Sequence, residues 1–245
     1  MLTVTTVNID RMGSEARAGF ERWLRSPASD AVCVQGSGGE RGRSVHEVAR
    51  QAGWHLASSG AHDGSDGVSV YTGEAPETWH AGFDAGGGQD SDRYVEVTLK
   101  DVVIGSVHLP PGDLDPTDPE ARAHFLQTLA VYLGELRARA EAGSKDVLLC
   151  GPGNLLDHRD DAAQRAHPSI QQQRTRLARN LLDEGYADVV GAVGLPDSTG
   201  EPRFPNYQVA TAALVERARA AWTEAFSEHA ETWSEGAAVS VNYDL

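Results

Sequence analysis

Hydrophobic positions along the chain follow two different spacings, which alternate from one end of the sequence to the other. Short runs in which every residue or every second residue is apolar predict β-strands. The first of these runs, near the N-terminus, alternates in the manner of a strand with one buried face. The predicted strands are Leu2–Asn8, Ala31–Gln35, Val68–Thr72, Tyr94–Leu99, Val102–His108, Val147–Cys150, Ala187–Val190 and Val239–Tyr243.

Apolar residues three or four positions apart predict helices between these strands. Ser14 is the predicted cap of a helix that runs to Leu24, and Ser44 with Glu47 forms a capping box for a helix to about Ala52. Strands that interleave with helices predict an α/β or α+β class, in one domain over residues 1–245. Three further helices are predicted from Pro119 to about Gly143, from Arg174 to Glu184 and from Ala212 to Phe226.

The composition favours a globular protein of the cytoplasm. The chain has 245 residues, 40% of them hydrophobic, and no apolar run long enough to span a membrane. Its N-terminus lacks the basic and apolar segments of a signal peptide. Cys33 and Cys150 each end an apolar run, so we expect two buried thiols in a reducing compartment. Abundant Ala, Gly, Arg and Asp with little Lys suggest an actinobacterial source.

The charge balance argues against nucleic acid as a partner. The net charge is −15, from 36 acidic and 21 basic residues, and only Lys100 and Lys145 are lysines. Proteins that bind nucleic acid neutralise phosphates with clustered Lys and Arg. The sequence contains no longer basic cluster than Arg41-Gly42-Arg43. The expected partner is therefore a small molecule or another protein, with no membrane contact.

Eight segments along the chain form an ordered series of motifs. They are Thr5–Asn8, Ala31–Gln35, Gly67–Tyr71, Arg93–Val97, Ser106–Gly112, Leu148–Gly151, Tyr207–Thr211 and Ser234–Val239. The series resembles the exonuclease III branch of the endonuclease/exonuclease/phosphatase family, which has the DNase I-like fold, and the similarity extends over essentially the whole chain. It implies a four-layer α/β-sandwich, in which two central mixed β-sheets are flanked by helices.

The resemblance also shows which catalytic groups are missing. Family members hydrolyse phosphodiesters with a divalent metal ion, usually Mg²⁺, which needs carboxylate ligands and a positioned water. The family's metal-binding Glu is replaced by Gly36, and the Asp that orients the water is replaced by Pro152. Another Asp is replaced by Asn206, and the catalytic His by Gly236. Of the family's four carboxylates only one, Glu235, remains.

A different set of polar side chains is expected at the same place. Asn8 and Asn154 match asparagines of the family, and His108 stands where the family has a Tyr near the phosphate. These side chains are either relics that hydrogen-bond to one another or a remodelled pocket for a neutral or weakly charged molecule. His108 and Glu235 could also form a new acid–base pair. The candidate pocket comprises Asn8, Gln35, His108, Asn154, Asn206 and Glu235.

The sequence is therefore compatible with three functions. The first is a catalytically inactive relative, a pseudoenzyme that acts as a binding or scaffold protein. The second is an enzyme or binder repurposed for a small molecule in the emptied cleft, for instance in a specialised biosynthetic pathway. The third is a residual metal-dependent phosphodiesterase or DNA-repair nuclease. No cofactor is expected, with Mg²⁺ needed only in the third case and Glu235 as its one weak candidate ligand.

Overall fold

Two β-sheets packed face to face form the centre of the protein. The computed structural model describes residues 1–9, 12–25, 28–59, 67–83, 92–109, 119–152, 168–194, 206–226 and 237–245. Within these ranges, each sheet contains six strands and both parallel and antiparallel pairs.

The first sheet joins the two ends of the chain. Its order is β11-β12-β1-β2-β4-β3, so that β1 lies between the last strand and β2. β1 is antiparallel to β12 and parallel to β2. The strands are β1 (Leu2–Asn8), β2 (Ala31–Gln35), β3 (His55–Ser58), β4 (Val68–Thr72), β11 (Ala218–Ala225) and β12 (Ala237–Tyr243).

The second sheet is built from the middle of the chain. Its order is β5-β6-β7-β8-β10-β9, with β7 and β8 parallel and the other neighbouring pairs antiparallel. The strands are β5 (Thr78–Ala81), β6 (Tyr94–Leu99), β7 (Val102–Val107), β8 (Asp146–Pro152), β9 (Tyr186–Asp188) and β10 (Asn206–Thr211).

Helices cover the outer faces of both sheets and complete four layers. α1 (Ser14–Trp23) and α2 (Gly39–Gln51) pack on the first sheet through Phe20 and Val45. α3 (Pro119–Ala142) and α4 (Pro168–Asp183) pack on the second sheet through Leu129 and Leu177. The short helices α5 (Val189–Val193) and α6 (Ala212–Arg217) contribute to the core between the sheets. The predicted four-layer sandwich with two mixed sheets is confirmed.

Alternation along each strand explains these layers. In β1, Leu2 and Val4 point into the core between the sheets, whereas Val7 points outward to α1 and α2. In β8, Leu148 and Cys150 point inward, whereas Leu149 points outward to α3. Successive side chains of a strand lie on opposite faces, so each central strand contributes to two hydrophobic cores. No helix within the described residues is long and apolar enough to cross a membrane.

Several predicted elements differ from the structure. The N-cap of α1 is Gly13 and not Ser14, and α4 begins at Pro168, six residues before the predicted Arg174. Residues 212–226 are not one helix, because the chain leaves α6 after Arg217 and pairs with β12 as an edge strand. Alanine favours a helix, but pairing with β12 satisfies the backbone and buries Ala221 against the other sheet. Ser44 does not cap α2, which begins five residues earlier; its hydroxyl donates to Glu21 Oε1 of α1 at 2.7 Å. The predicted strand over residues 187–190 ends at Asp188, whose side chain accepts from the Gly191 N–H and caps α5.

The sequence did not predict β3 and β5. Each has only four residues and lies at the edge of a sheet. His55 and Trp79 in these strands are exposed, so the apolar alternation typical of a strand is weak. Edge strands can form from such segments because the neighbouring strand supplies the pairing.

Candidate binding site at one end of the sandwich

Four of the six predicted pocket residues lie within the described part of the chain, on the inner faces of the sheets where strands begin or end. Asn8 and Gln35 are partners in the parallel pair of β1 and β2 and are the last residues of both strands. Asn206 begins β10 opposite Pro152, the last residue of β8. His108 directly follows β7, which runs parallel to β8.

Contacts across the sandwich bring these strand ends to the same end of the molecule. Gln35 Nε2 donates to Ser106 Oγ at 3.0 Å, and this bond joins the end of β2 to the end of β7. One pleat deeper, the Cys33 and Cys150 thiols are in contact between the sheets. Both cysteines are free and buried, as expected, and burial raises the pKa of the Cys150 thiol. The two sheets therefore present Asn8, Gln35, His108 and Asn206 at one shared end.

Gln35 belongs to the floor of this site rather than to an open pocket. Its side chain is fully buried, and besides Ser106 it lies 3.4 Å from Thr6 Oγ1. Thr6 and Ser106 are fully buried as well. A buried amide that hydrogen-bonds to hydroxyls on both sheets fixes their relative position. Gln35 is therefore a positioning residue.

A second buried amide holds the sheets together deeper in the core. Gln208 Nε2 donates to the carbonyl oxygens of Val4 at 2.9 Å and Val239 at 3.3 Å. The Tyr243 hydroxyl donates to Gln208 Oε1 at 2.7 Å. Neither Ser106 nor Gln208 is among the site residues predicted from the sequence. The signal was present, because each occupies an inward-facing position of a strand where the alternation calls for an apolar residue.

Arg93 is a further member of the site that sequence reasoning missed. Tyr94 pairs with Val107, so the residue before β6 lies beside the residue after β7. The His108 N–H donates to the Arg93 carbonyl oxygen at 2.9 Å. His108 is 4% exposed and Asn206 1% exposed, whereas Arg93 and Asn8 are half-buried. Each of these four side chains already makes a polar, ring or electrostatic contact.

Gly36, which directly follows β2, has a left-handed backbone. Gly36 has φ +72°, in the left-handed region that residues with a side chain rarely adopt. The next residue, Ser37, donates its N–H to the Gly67 carbonyl oxygen at 2.7 Å and fixes the turn into α2. Gly36, where the resemblance predicts a metal-binding Glu, therefore has a backbone conformation suited to glycine.

Pro152 is likewise part of the sheet and not of a loop. It is the last residue of β8 and stands opposite Asn206 of β10. A prolyl ring has no carboxylate and no N–H, so it can neither bind a metal ion nor orient a water by donation. Asn154, Glu235 and Gly236 lie outside the described residues. Within the described residues, no three His, Cys, Asp or Glu side chains are grouped as a metal site would require.

A separate polar cluster lies on the outer face of the first sheet. Its centre is the fully buried Ser69 hydroxyl, 3.0 Å from His46 Nε2 and 2.8 Å from Ser37 Oγ. Burial, with a smaller contribution from Arg50, lowers the pKa of His46 to about 4. The imidazole is therefore neutral near pH 7, and the cluster ties α2 to β4.

Comparisons with solved structures reveal the same architecture in DNA-processing enzymes. An AP endonuclease from Archaeoglobus fulgidus superposes with a TM-score of 0.75 and 19% identity, with 100% of both chains covered. The 3'-5' exonuclease NExo from Neisseria meningitidis superposes with a TM-score of 0.75 and 17% sequence identity. The 3' phosphatase NExo from Neisseria bound to a product DNA hairpin superposes with a TM-score of 0.75 and 16% identity. Both comparisons cover 100% of both chains. The chain thus has the DNase I-like fold of these proteins. No protein-family model and no curated protein matches the sequence.

Proposed function

We propose that this protein is a degenerate exonuclease III-like protein that binds a partner without hydrolysing phosphodiesters. The observation that carries the proposal is the left-handed backbone of Gly36, at the position where the resemblance requires a metal-binding Glu. Pro152 in β8 and Asn206 in β10 add two further uncharged residues to the same end of the sandwich.

The chemistry of the described donors does not fit Mg²⁺. This cation binds through carboxylates and phosphates, whereas Asn8, Gln35, His108 and Asn206 offer amides and an imidazole. Gln35 is already bonded to Ser106. Loss of one catalytic group costs about 10²–10⁴ in rate, and losses within one constellation leave only weak residual catalysis. No metal-dependent step can be derived from this set of residues.

The direct test is cleavage of duplex DNA that carries an abasic site or a 3' phosphate, with Mg²⁺ or Mn²⁺ present. We expect no product above that of a sample treated with a chelator. A Glu235→Gln variant serves as the matched control, because it removes the last carboxylate of the family's set. Metal-dependent cleavage that this variant abolishes would overturn the proposal and support the residual phosphodiesterase instead.

The nature of the binding partner follows from charge. With a net charge of −15 the chain should repel nucleic acid, so we propose a small molecule or a protein as the partner, in the cytoplasm. The two free, buried cysteines support a reducing compartment. Fluorescence polarisation with a labelled DNA duplex at low salt should show no saturable binding; submicromolar affinity would contradict this assignment.

Arg93 and His108 favour a second candidate, a repurposed small-molecule site. A backbone hydrogen bond joins the two residues where β6 begins and β7 ends, at the same end of the sandwich as Asn8 and Asn206. A guanidinium and an imidazole beside amides suit a polar ligand with acceptor groups. Thermal-shift screening of neutral and anionic metabolites should find ligands that stabilise the wild type but not His108→Leu. If no compound distinguishes the two proteins, the small-molecule site is refuted.

A further inference from the structure

A groove on the outside of the second sheet is separate from the strand-end site. It lies between α3 and α4 and has a volume of about 290 Å³. Leu133, Leu177 and Leu181 form its floor and belong to the core beneath α3 and α4. The other lining residues are Ala130, Gly134, Asn180, Asp183 and Glu184.

Gly134 borders free space in the groove, and the backbone does not require a glycine there. A Cβ at Gly134 would meet only Glu184 Oε1, at 3.9 Å. The helical glycines Gly19 and Gly42 differ, since a Cβ would lie 1.8 Å from the Phe226 oxygen and 1.6 Å from the Ser37 oxygen. A glycine inside a helix costs about 1 kcal/mol relative to alanine. At Gly134 the absence of a side chain leaves free space between α3 and α4.

One end of the groove is negatively charged. Asp183 ends α4 and Glu184 follows it, and the last turn of α4 contains no basic residue to offset the helix dipole. Neither carboxylate forms an ion pair with another residue in the described part of the chain. Arg137, one turn beyond Gly134, is bound to Glu141 at 2.7 Å and lies over the Tyr186 ring. The groove therefore combines an aliphatic floor with unpaired negative charge.

Two exposed apolar side chains lie on the helices that form the groove. Val131 of α3 is 59% exposed and precedes the groove residue Gly134 by three positions, and Leu182 of α4 is 48% exposed. Only a few large apolar side chains of the described residues are exposed to this degree. Exposed apolar side chains on the helices of a concave site are typical of surfaces that contact proteins.

We infer that the groove between α3 and α4 is a docking site for a protein partner that inserts an Arg or Lys side chain flanked by apolar residues. The aliphatic stem packs on the leucine floor, the charged head reaches Asp183 and Glu184, and the flanking residues cover Val131. A basic partner also complements the net charge of −15. This inference does not depend on the proposed function of the strand-end site, which lies between the sheets.

The probe is acetyl-leucyl-arginyl-leucinamide, compared with the same peptide carrying citrulline, which has the shape of arginine without its charge. Calorimetric or NMR titration at low salt should show the arginine peptide binding at least about fivefold more tightly. Higher salt should reduce the difference. Equal affinity of the two peptides would overturn the inference, as would no binding of either.

Three variants locate the binding. Gly134→Met should fill the groove and weaken the arginine peptide at least about fivefold, and it should fold because methionine is the better helix former. Glu184→Gln should weaken binding about threefold to fivefold, whereas Glu135→Gln, with the same change in net charge at an exposed neighbouring position, should not. Unchanged binding to Gly134→Met would overturn the inference. n-Butylguanidinium is the last probe: if it binds as tightly as the peptide, the occupant is a small cation and the protein partner is refuted.

Discussion

A substitution at Gly36 tests whether the end of β2 is adapted to glycine in its backbone or has merely lost a side chain. At φ +72° the left-handed conformation destabilises a residue that has a Cβ by about 1–2 kcal/mol. Alanine also reduces the entropy of the unfolded chain, which stabilises the folded protein by about 0.4–1 kcal/mol. We therefore expect Gly36→Ala to lower the free energy of unfolding by about 1 kcal/mol, or the melting temperature by about 2–4 °C for a chain of this size.

Gly73 is the matched control. Its φ is not in the left-handed region, it is exposed, and a Cβ there would meet only the Asp30 carbonyl oxygen at 3.8 Å. Gly73→Ala should therefore be neutral or stabilising by up to about 1 kcal/mol. Urea denaturation of the two variants beside the wild type measures the difference directly.

Gly36→Glu extends the test to function. The variant carries the same backbone cost and also places a carboxylate at a buried position, so it should be less stable than Gly36→Ala. It should not gain Mg²⁺-dependent cleavage of abasic DNA, because Pro152 and Asn206 still lack carboxylates. The reasoning is refuted if Gly36→Ala is as stable as the wild type, or if Gly36→Glu alone restores a nuclease.

Three further predictions concern buried polar groups. A hydrogen bond of 3.0 Å joins the Gln35 and Ser106 side chains. A double-mutant cycle of Gln35→Leu and Ser106→Ala should therefore show a coupling energy of about 1 kcal/mol in denaturation experiments. A coupling energy of zero would show that Gln35 does not position the two sheets. The buried Glu96 carboxylate accepts hydrogen bonds from Tyr94, Tyr132 (2.9 Å) and Arg139. Glu96→Val should therefore lower the free energy of unfolding by about 3 kcal/mol, whereas Tyr132→Phe, which removes one of these bonds, should lower it by about 1 kcal/mol. Equal losses in the two variants would contradict this order. In the folded protein the pKa of His46 is about 4, below its ordinary value of 6.5. Between pH 6.5 and pH 4 the imidazole is therefore protonated in the unfolded chain but neutral in the folded protein. The free energy of unfolding consequently falls as the pH decreases through this range. After allowance for the solvent-exposed part of the ring, the wild type should lose about 1 kcal/mol more than His46→Gln between pH 7 and pH 5, and identical pH profiles would show that the ring titrates normally.

The sequence predicted the central strands well because their pattern is strong and local. β1, β2, β4 and β6 begin and end at the predicted residues. Every residue of β2, β4 and β6 is buried, and the alternation assigns each side chain to one of two cores. Local pattern failed where pairing with another strand decided the structure. The alanine-rich segment after Arg217 became β11 because β12 lies beside it.

For the site, the sequence determined which chemical groups are present, and the family resemblance predicted that they lie together in one cleft. The sequence could not determine that Gln35 would hydrogen-bond to Ser106, because this contact joins strands of different sheets. The position of Arg93 beside His108 follows from the tight turn between the consecutive strands β6 and β7, so this contact was within reach of the sequence and was missed. The sequence could not give the left-handed φ of Gly36 or the open space above Gly134. Residue types are fixed locally, but register, burial and free volume depend on how two sheets and their helices pack, so only the tertiary structure decided them.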